Sequence, residues 1–174
     1  MVKTIKAITN NVEDYSAVAC GGYHTVFVKN GNLYGMGNNV SGQLGITGDT
    51  STPRQITTDG GVTHAACGPN YTVFVKDENL YGMGYNVSGQ LGITGNTTTP
   101  RQITTDGGVT HVSSGRYHTV FVKGGNLYGM GNNGFGQLGI TGDTSTPRQI
   151  TTDGGVTHAA CLSLIHISEP TRPY

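Results

Sequence analysis

The chain has 174 residues, ten basic and ten acidic side chains, a formal net charge of zero and only 11% charged residues. That balance leaves no cationic footprint for nucleic acid or an anionic membrane surface, so neither is expected as a partner. The 29 glycines follow no three-residue rhythm, which excludes collagen. No apolar run approaches the roughly 20 residues of a membrane helix.

Residues 1–19 form a lead-in, and MVKTIKAITNNVEDY lacks the apolar core of a secretion signal, which favours a cytoplasmic location. Three copies of a 47-residue unit follow, at 20–66, 67–113 and 114–161, the last including the start of a further copy. The first and third differ at five positions: Cys20/Ser114, Gly22/Arg116, Asn30/Gly124, Val40/Gly134 and Ser41/Phe135. A period of this length means a solenoid, propeller or array.

Within a copy, His24–Lys29 is β-branched and aromatic, and Asn30-Gly31 after it is a strong hairpin signal because both turn residues take positive φ. Asn32–Gly37 is the return strand. The other turns carry Asp77-Glu78 and Gly124-Gly125; Gly-Gly suits the same turn, whereas Asp-Glu suits it poorly and predicts a different one. After Gly42-Gln43-Leu44-Gly45 and a polar loop, Gln55–Thr58 reads as a short third strand, Asp59–Gly61 as a turn and Val62–Cys67 as a fourth. Val26 and Val28 face one way and Thr25, Phe27 and Lys29 the other, so both faces carry apolar residues, as in a sheet packed between two others. The fold class is all-β: four short strands per copy and no helical periodicity.

On these residues the chain resembles the regulator of chromosome condensation repeat family. The resemblance rests on Ala19-Cys20-Gly21-Gly22-Tyr23-His24, Val26–Val28, Gly31, Leu33–Gly37, Asn39 and Gly42–Gly45, repeated three times over about residues 16–161. Met36, Met83 and Met130 stand where the family usually has tryptophan, and Tyr71 replaces the histidine of copy two. The resemblance implies a β-propeller, usually of seven blades, closed by strands from both termini. The expectation for this chain is a partial propeller, about three four-stranded antiparallel blades in an open arc, with the lead-in serving ring closure. Residues 162–174, LSLIHISEPTRPY, match no part of the repeat and resemble translated sequencing adapter. Seven blades at this period need about 330 residues, so the chain reads as a truncated product. An open arc exposes apolar faces at both ends and is expected to self-associate.

The Gly-Gln-Leu-Gly motif (Gly42, Gln43, Leu44, Gly45; Gly89, Gln90, Leu91, Gly92; Gly136, Gln137, Leu138, Gly139) is the same in every copy and therefore reads as structural. Its leucine is expected between blades and its glutamine amide on loop backbone. Cys20, Cys67 and Cys161 recur without paired spacing and read as small buried thiols rather than a disulfide or zinc set. His64, His111 and His158 are expected to be rotated apart by the ring, so no metal site is expected. There is no nucleophile elbow, H-E-x-x-H, Walker loop or dinucleotide fingerprint, and hence no enzyme and no cofactor is indicated.

The informative positions are those where the copies differ: Tyr23 and His24, Asn70 and Tyr71, Tyr85, Arg116, Tyr117, His118 and Phe135. They fall at strand ends and loops, and aromatic and arginine side chains anchor interfaces, so these are the candidate protein-binding residues. Tyr23, Tyr71, Arg116 and Tyr117 are expected to lie exposed on one rim. The function read from this is a non-catalytic protein-binding scaffold. The alternatives are promotion of guanine-nucleotide exchange on a small GTPase, as the resemblance implies, or an inhibitor-type propeller that plugs an enzyme with aromatic loops.

Overall fold

The computed structural model describes residues 13–161. The terminal expectations, the adapter-like tail at 162–174 and most of the lead-in, lie outside the described residues.

Twelve six-residue strands form three antiparallel sheets, each a meander in chain order. The first holds β1 (Tyr15–Cys20), β2 (His24–Lys29), β3 (Asn32–Gly37) and β4 (Thr50–Gln55). The second holds β5 (Val62–Cys67), β6 (Tyr71–Lys76), β7 (Asn79–Gly84) and β8 (Thr97–Gln102), and the third β9 (Val109–Ser114), β10 (His118–Lys123), β11 (Asn126–Gly131) and β12 (Thr144–Gln149). These are propeller blades, and they form an open arc of three. Neighbouring blades approach each other most closely through the inner strands β1, β5 and β9.

The hairpin turns all take positive φ at both central residues: Asn30 (50°) and Gly31 (72°), Gly124 (55°) and Gly125 (74°), and also Asp77 (47°) and Glu78 (59°). The expectation of a different turn at Asp77-Glu78 is thus corrected. The flanking register, Lys76 opposite Asn79 and Tyr71 opposite Gly84, is the same as in the other blades and holds the turn type against local preference. Asp77 also receives help: its backbone N–H donates to Gly61 O at 3.1 Å.

The strand expected at Gln55–Thr58 is also corrected. The outer strand is Thr50–Gln55, laddered on β3 with Gly37 opposite Thr50, an irregularity, then Gly35 opposite Arg54. It carries Pro53, which only an edge strand tolerates because proline has no N–H to donate. Ile56 and Thr57 instead close the corner, where Ile56 N donates to Leu33 O at 2.7 Å and Leu33 N to Thr57 Oγ1 at 2.9 Å.

The core lies between blades, not within them. One cluster joins Val26, Val28, Leu33 and Leu44 of the first blade to Val62, Phe74 and Met83 of the second. The next joins Tyr71, Val73, Val75, Leu80 and Leu91 to Val109, Phe121 and Met130. Each buried leucine or phenylalanine contributes about 1.5–3 kcal/mol to holding adjacent blades together. Both faces of the middle blade are therefore covered, as the apolar residues on both faces of its strands require.

Candidate functional site: one rim of the blade array

In each blade the short β1–β2-type connection and the long β3–β4-type loop leave the same end of the sheet. They are tied together: Asn38 N donates to Tyr23 O at 2.8 Å, Tyr85 N to Asn70 O at 2.9 Å and Asn132 N to Tyr117 O at 2.8 Å. The long loop is shaped from within by one asparagine. Asn39 Oδ1 accepts from Leu44 N at 2.8 Å, its Nδ2 donates to Ile46 O, and its own N–H donates to Asp49 Oδ1 at 2.7 Å. Asn86 and Asn133 do the same work, with Asn96 and Asp143 as their acceptors.

The Gly-Gln-Leu-Gly motif is the floor of this loop. Leu44, Leu91 and Leu138 are buried between or against blades. Gln43 Oε1 accepts from Ser41 N at 2.9 Å and its Nε2 donates to Asn38 Oδ1 at 2.8 Å. Gln137 repeats both bonds with Phe135 N and Asn132 Oδ1. Gln90 keeps only the first, from Ser88 N at 3.0 Å, and its fully buried Nε2 has no partner because Tyr85 stands where the other copies have asparagine. Tyr85→Asn is expected to restore that bond and stabilise the protein by about 1 kcal/mol. A denaturation midpoint no higher than that of the parent chain would count against the assignment.

The candidate residues separate into two groups. Tyr23 is 79% exposed and Phe135 98%; Asn70, Arg116 and Tyr117 are exposed too, and the Arg116 guanidinium sits 5.0 Å from the centroid of the Tyr117 ring. Tyr85 is half-buried at the same rim. Val40 and Val87, exposed at 83% and 71%, join them at the loop tips. The sequence reading did not single out Val87, although an apolar residue inside a Gly/Asn-rich loop is the available signal.

Tyr71, His24 and His118 are not surface residues of this kind. Tyr71 is 1% exposed, and its hydroxyl donates to His118 O at 2.7 Å and Gly115 O at 3.0 Å of the next blade. This corrects the expected exposure of Tyr71. His24 is likewise buried, with Nε2 2.9 Å from Thr72 Oγ1 of the next blade, and burial pushes its pKa down to about 4. His118 is half-buried, and its pKa is lowered by burial. The position three residues after Gly21 and Gly68 is therefore an inter-blade connector, filled by His24 and Tyr71. Gly21 and Gly68 make room for it, since a Cβ there would meet the His24 or Tyr71 ring at 2.2 and 1.9 Å.

Two further expectations are corrected on the inner strands. His64, His111 and His158 are not rotated apart: their rings form a column, tilted or edge-on to one another with centroids 4.5 Å and 4.2 Å apart, because β5, β9 and the segment 156–161 converge at the inner side of the arc. Burial lowers the His64 pKa first, and the neighbouring imidazoles lower it further. Among the described residues, no group of three or more His, Cys, Asp and Glu is arranged to hold a metal ion. Cys20 is exposed rather than buried, since no blade among the described residues covers the outer face of β1. Cys67 and Cys161 are partly buried, and burial pushes the Cys67 thiol up to about 12.

These meander blades, joined through their Gly-Gln-Leu-Gly corners, define a β-propeller repeat protein. The regulator of chromosome condensation (RCC1) repeat matches residues 30–75, 77–122 and 124–161, and the chain belongs to that family. A second form of the same repeat matches 15–43 and 109–137. Among solved structures, human WBSCR16 is similar at 25% identity and a TM-score of 0.65, over 79% of this chain and 40% of that one. Prp20p from Saccharomyces cerevisiae, described with its binding to Gsp1p and histones, is similar at 22% identity and a TM-score of 0.65, over 78% and 38%. The yeast RCC1 (Prp20) bound to Kap60 gives 21% identity and a TM-score of 0.65, over 78% and 37%. The chain thus spans about two fifths of the length of these relatives. No curated protein matches it in sequence.

Proposed function

We propose that the chain is a non-catalytic, protein-binding scaffold of the RCC1 repeat type whose contact surface is the rim carrying Tyr23, Val40, Val87, Arg116, Tyr117 and Phe135. The observation that carries this reading is the sorting of the copy-to-copy differences. At the rim they expose aromatic and aliphatic side chains, Phe135 above all at 98%, while the positions that pack blades stay nearly constant. A large apolar side chain held on a hydrogen-bonded loop loses little entropy on binding and supplies an anchor. The Arg116–Tyr117 pair adds a cation to an aromatic face, a combination suited to a protein surface with apolar and acidic groups.

The test places a photo-reactive phenylalanine analogue at position 135, and at position 77 on the opposite rim as control. A discrete cross-linked protein from position 135 that is lost in Tyr23→Ala/Tyr117→Ala supports the reading. Equal capture from position 77 contradicts it. Family membership favours a second reading, promotion of guanine-nucleotide exchange on a small GTPase. Accelerated release of a labelled guanine nucleotide would establish that reading instead.

A further inference from the structure

We propose that the two open faces of the arc dock on each other between copies of this chain, head to tail, reproducing the joint already present twice within it. This inference is independent of what the rim binds.

The joint has a fixed set of contacts. The trailing face of one blade offers its connector side chain, the two motif glycines and the glutamine between them. The leading face of the next offers a threonine, a methionine and the start of its outer strand. In the first joint His24 Nε2 lies 2.9 Å from Thr72 Oγ1, which donates at 2.8 Å to Gln43 O. A Cβ on Gly42 would meet Thr98 Cα at 2.6 Å, and one on Gly45 would meet Met83 Sδ at 2.7 Å. The second joint repeats this closely. Thr119 Oγ1 donates to Gln90 O at 2.8 Å, and a Cβ on Gly89 or Gly92 would meet Ser145 Cα or Met130 Sδ at 2.6 Å.

Both halves of that joint recur at the ends of the arc without a counterpart among the described residues. On the third blade Gln137 is exposed, where Gln43 and Gln90 are fully buried. A Cβ on Gly136 would meet nothing within 4 Å, and one on Gly139 only Ile150 at 3.8 Å. On the first blade Thr25, Phe27 and Met36 are half-buried, whereas Thr72, Phe74 and Met83 of the second blade and Thr119, Phe121 and Met130 of the third are buried. Val18 of β1 is 71% exposed on that same open side.

The occupant these faces fit is a second copy, because one molecule carries the plug and the socket in the same residue types as its internal joints. His118 would meet Thr25, Gly136 would meet Ser51 as Gly89 meets Ser145, and Gly139 would meet Met36. The segment 156–161 stands near the inner-strand position of the trailing face, held by Val156 N to Gly125 O at 2.9 Å and Cys161 N to Ser113 Oγ at 2.9 Å, but makes no strand ladder. The incoming β1 is laddered on its own β2, so it keeps its place and 156–161 gives way. Such a joint is heterologous: it propagates into chains, or into a ring if the rotation closes.

Two variants test it, each at a residue exposed in this chain: Ser51→Arg blocks the leading face and Gln137→Arg the trailing face. Sedimentation velocity on the 174-residue chain should show mass rising with concentration. Each variant alone should stay monomeric while retaining its β circular dichroism. Mixed one to one, the two should form a dimer, because each supplies the face that the other lacks. Hydrogen exchange should then show new protection at 136–139 of one partner and at 25, 36 and 50–52 of the other. A parent chain that is monomeric throughout, a mixture that stays monomeric, variants that associate as the parent does, or protection confined to the rim would each overturn the proposal.

Discussion

Replacing Gly84 with alanine is expected to lower the unfolding midpoint by roughly 10 °C or more, corresponding to about 4 kcal/mol. Gly84 closes β7 at φ +107, and a Cβ there would lie 2.6 Å from Asn70 O, 2.8 Å from Tyr71 Cα and 3.2 Å from Gln43 Cα. Asn70 belongs to the adjoining connection, Tyr71 opens β6 and Gln43 lies on the preceding blade, so relief means moving the rim connection, the paired strand and the joint together. Gly95→Ala is the control. Gly95 also has positive φ, +71, but a Cβ there meets nothing within 4 Å, so only the backbone strain of about 1–2 kcal/mol remains. Equal losses in the two variants, read by thermal denaturation, would show that the close approach at Gly84 carries no cost.

Acid is expected to weaken the protein before its carboxylates titrate, and His24→Tyr is expected to remove much of that sensitivity. His24 is held neutral in the folded chain with a pKa of about 4, against about 6.5 when unfolded. Between those values the unfolded state binds the extra proton. The stability contributed by keeping His24 neutral is therefore fully present above about pH 6.5 and is lost as pH falls towards 4. The integrated loss is on the order of 3 kcal/mol. His118 and His64 shift in the same direction, the latter also through the neighbouring imidazoles of His111 and His158. Copy two shows that tyrosine fits the connector position: Tyr71 reaches two carbonyl oxygens of the next blade, over a glycine equivalent to the one beneath His24. Denaturant midpoints from about pH 7.5 to 4.5 should therefore fall less for His24→Tyr than for the parent chain. Parallel curves would mean that His24 is not the group responsible.

Much of the fold was legible because the physics that fixes it is local and repeated three times. The hairpin strands, the positive-φ turn at Asn30-Gly31, the packing of Leu44 and the backbone bonds of Gln43 all follow from short-range pattern. What escaped was set by neighbours in space. Asp77-Glu78 adopts a turn its residues disfavour because the strands on either side impose it. Thr50–Gln55 becomes the outer strand because β3 has an edge to offer there, although proline interrupts the pattern. His64, His111 and His158 form a column because β5, β9 and the segment 156–161 converge at the inner side of the arc, and no count along the chain shows that spacing.

The rim was half legible for a related reason. Variation between copies marked Tyr23, Arg116, Tyr117 and Phe135, which are exposed, but it marked Tyr71 equally, and Tyr71 is a buried connector. Difference between copies records only that a position is free to change. Whether it faces solvent or a neighbouring blade depends on which strand end it occupies, and Tyr71 begins a central strand that is covered on both sides.

The proposed function divides the chain: repeated residues hold the blades together, and the exposed residues that interrupt the repetition are proposed to meet a partner. The most direct measurement of that division is made on Tyr23→Ala/Tyr117→Ala/Phe135→Ala, with capture of the cross-linked partner and the unfolding midpoint read on one preparation. For this triple variant the cross-linking group is placed at position 40, at the exposed tip of the same rim. The expected result is capture reduced by about tenfold or more, the loss of about 1.4 kcal/mol that a single anchor supplies, with the midpoint moved by no more than about 2 °C. Capture unchanged, or lost only in step with a midpoint that falls as far as in Gly84→Ala, would contradict it.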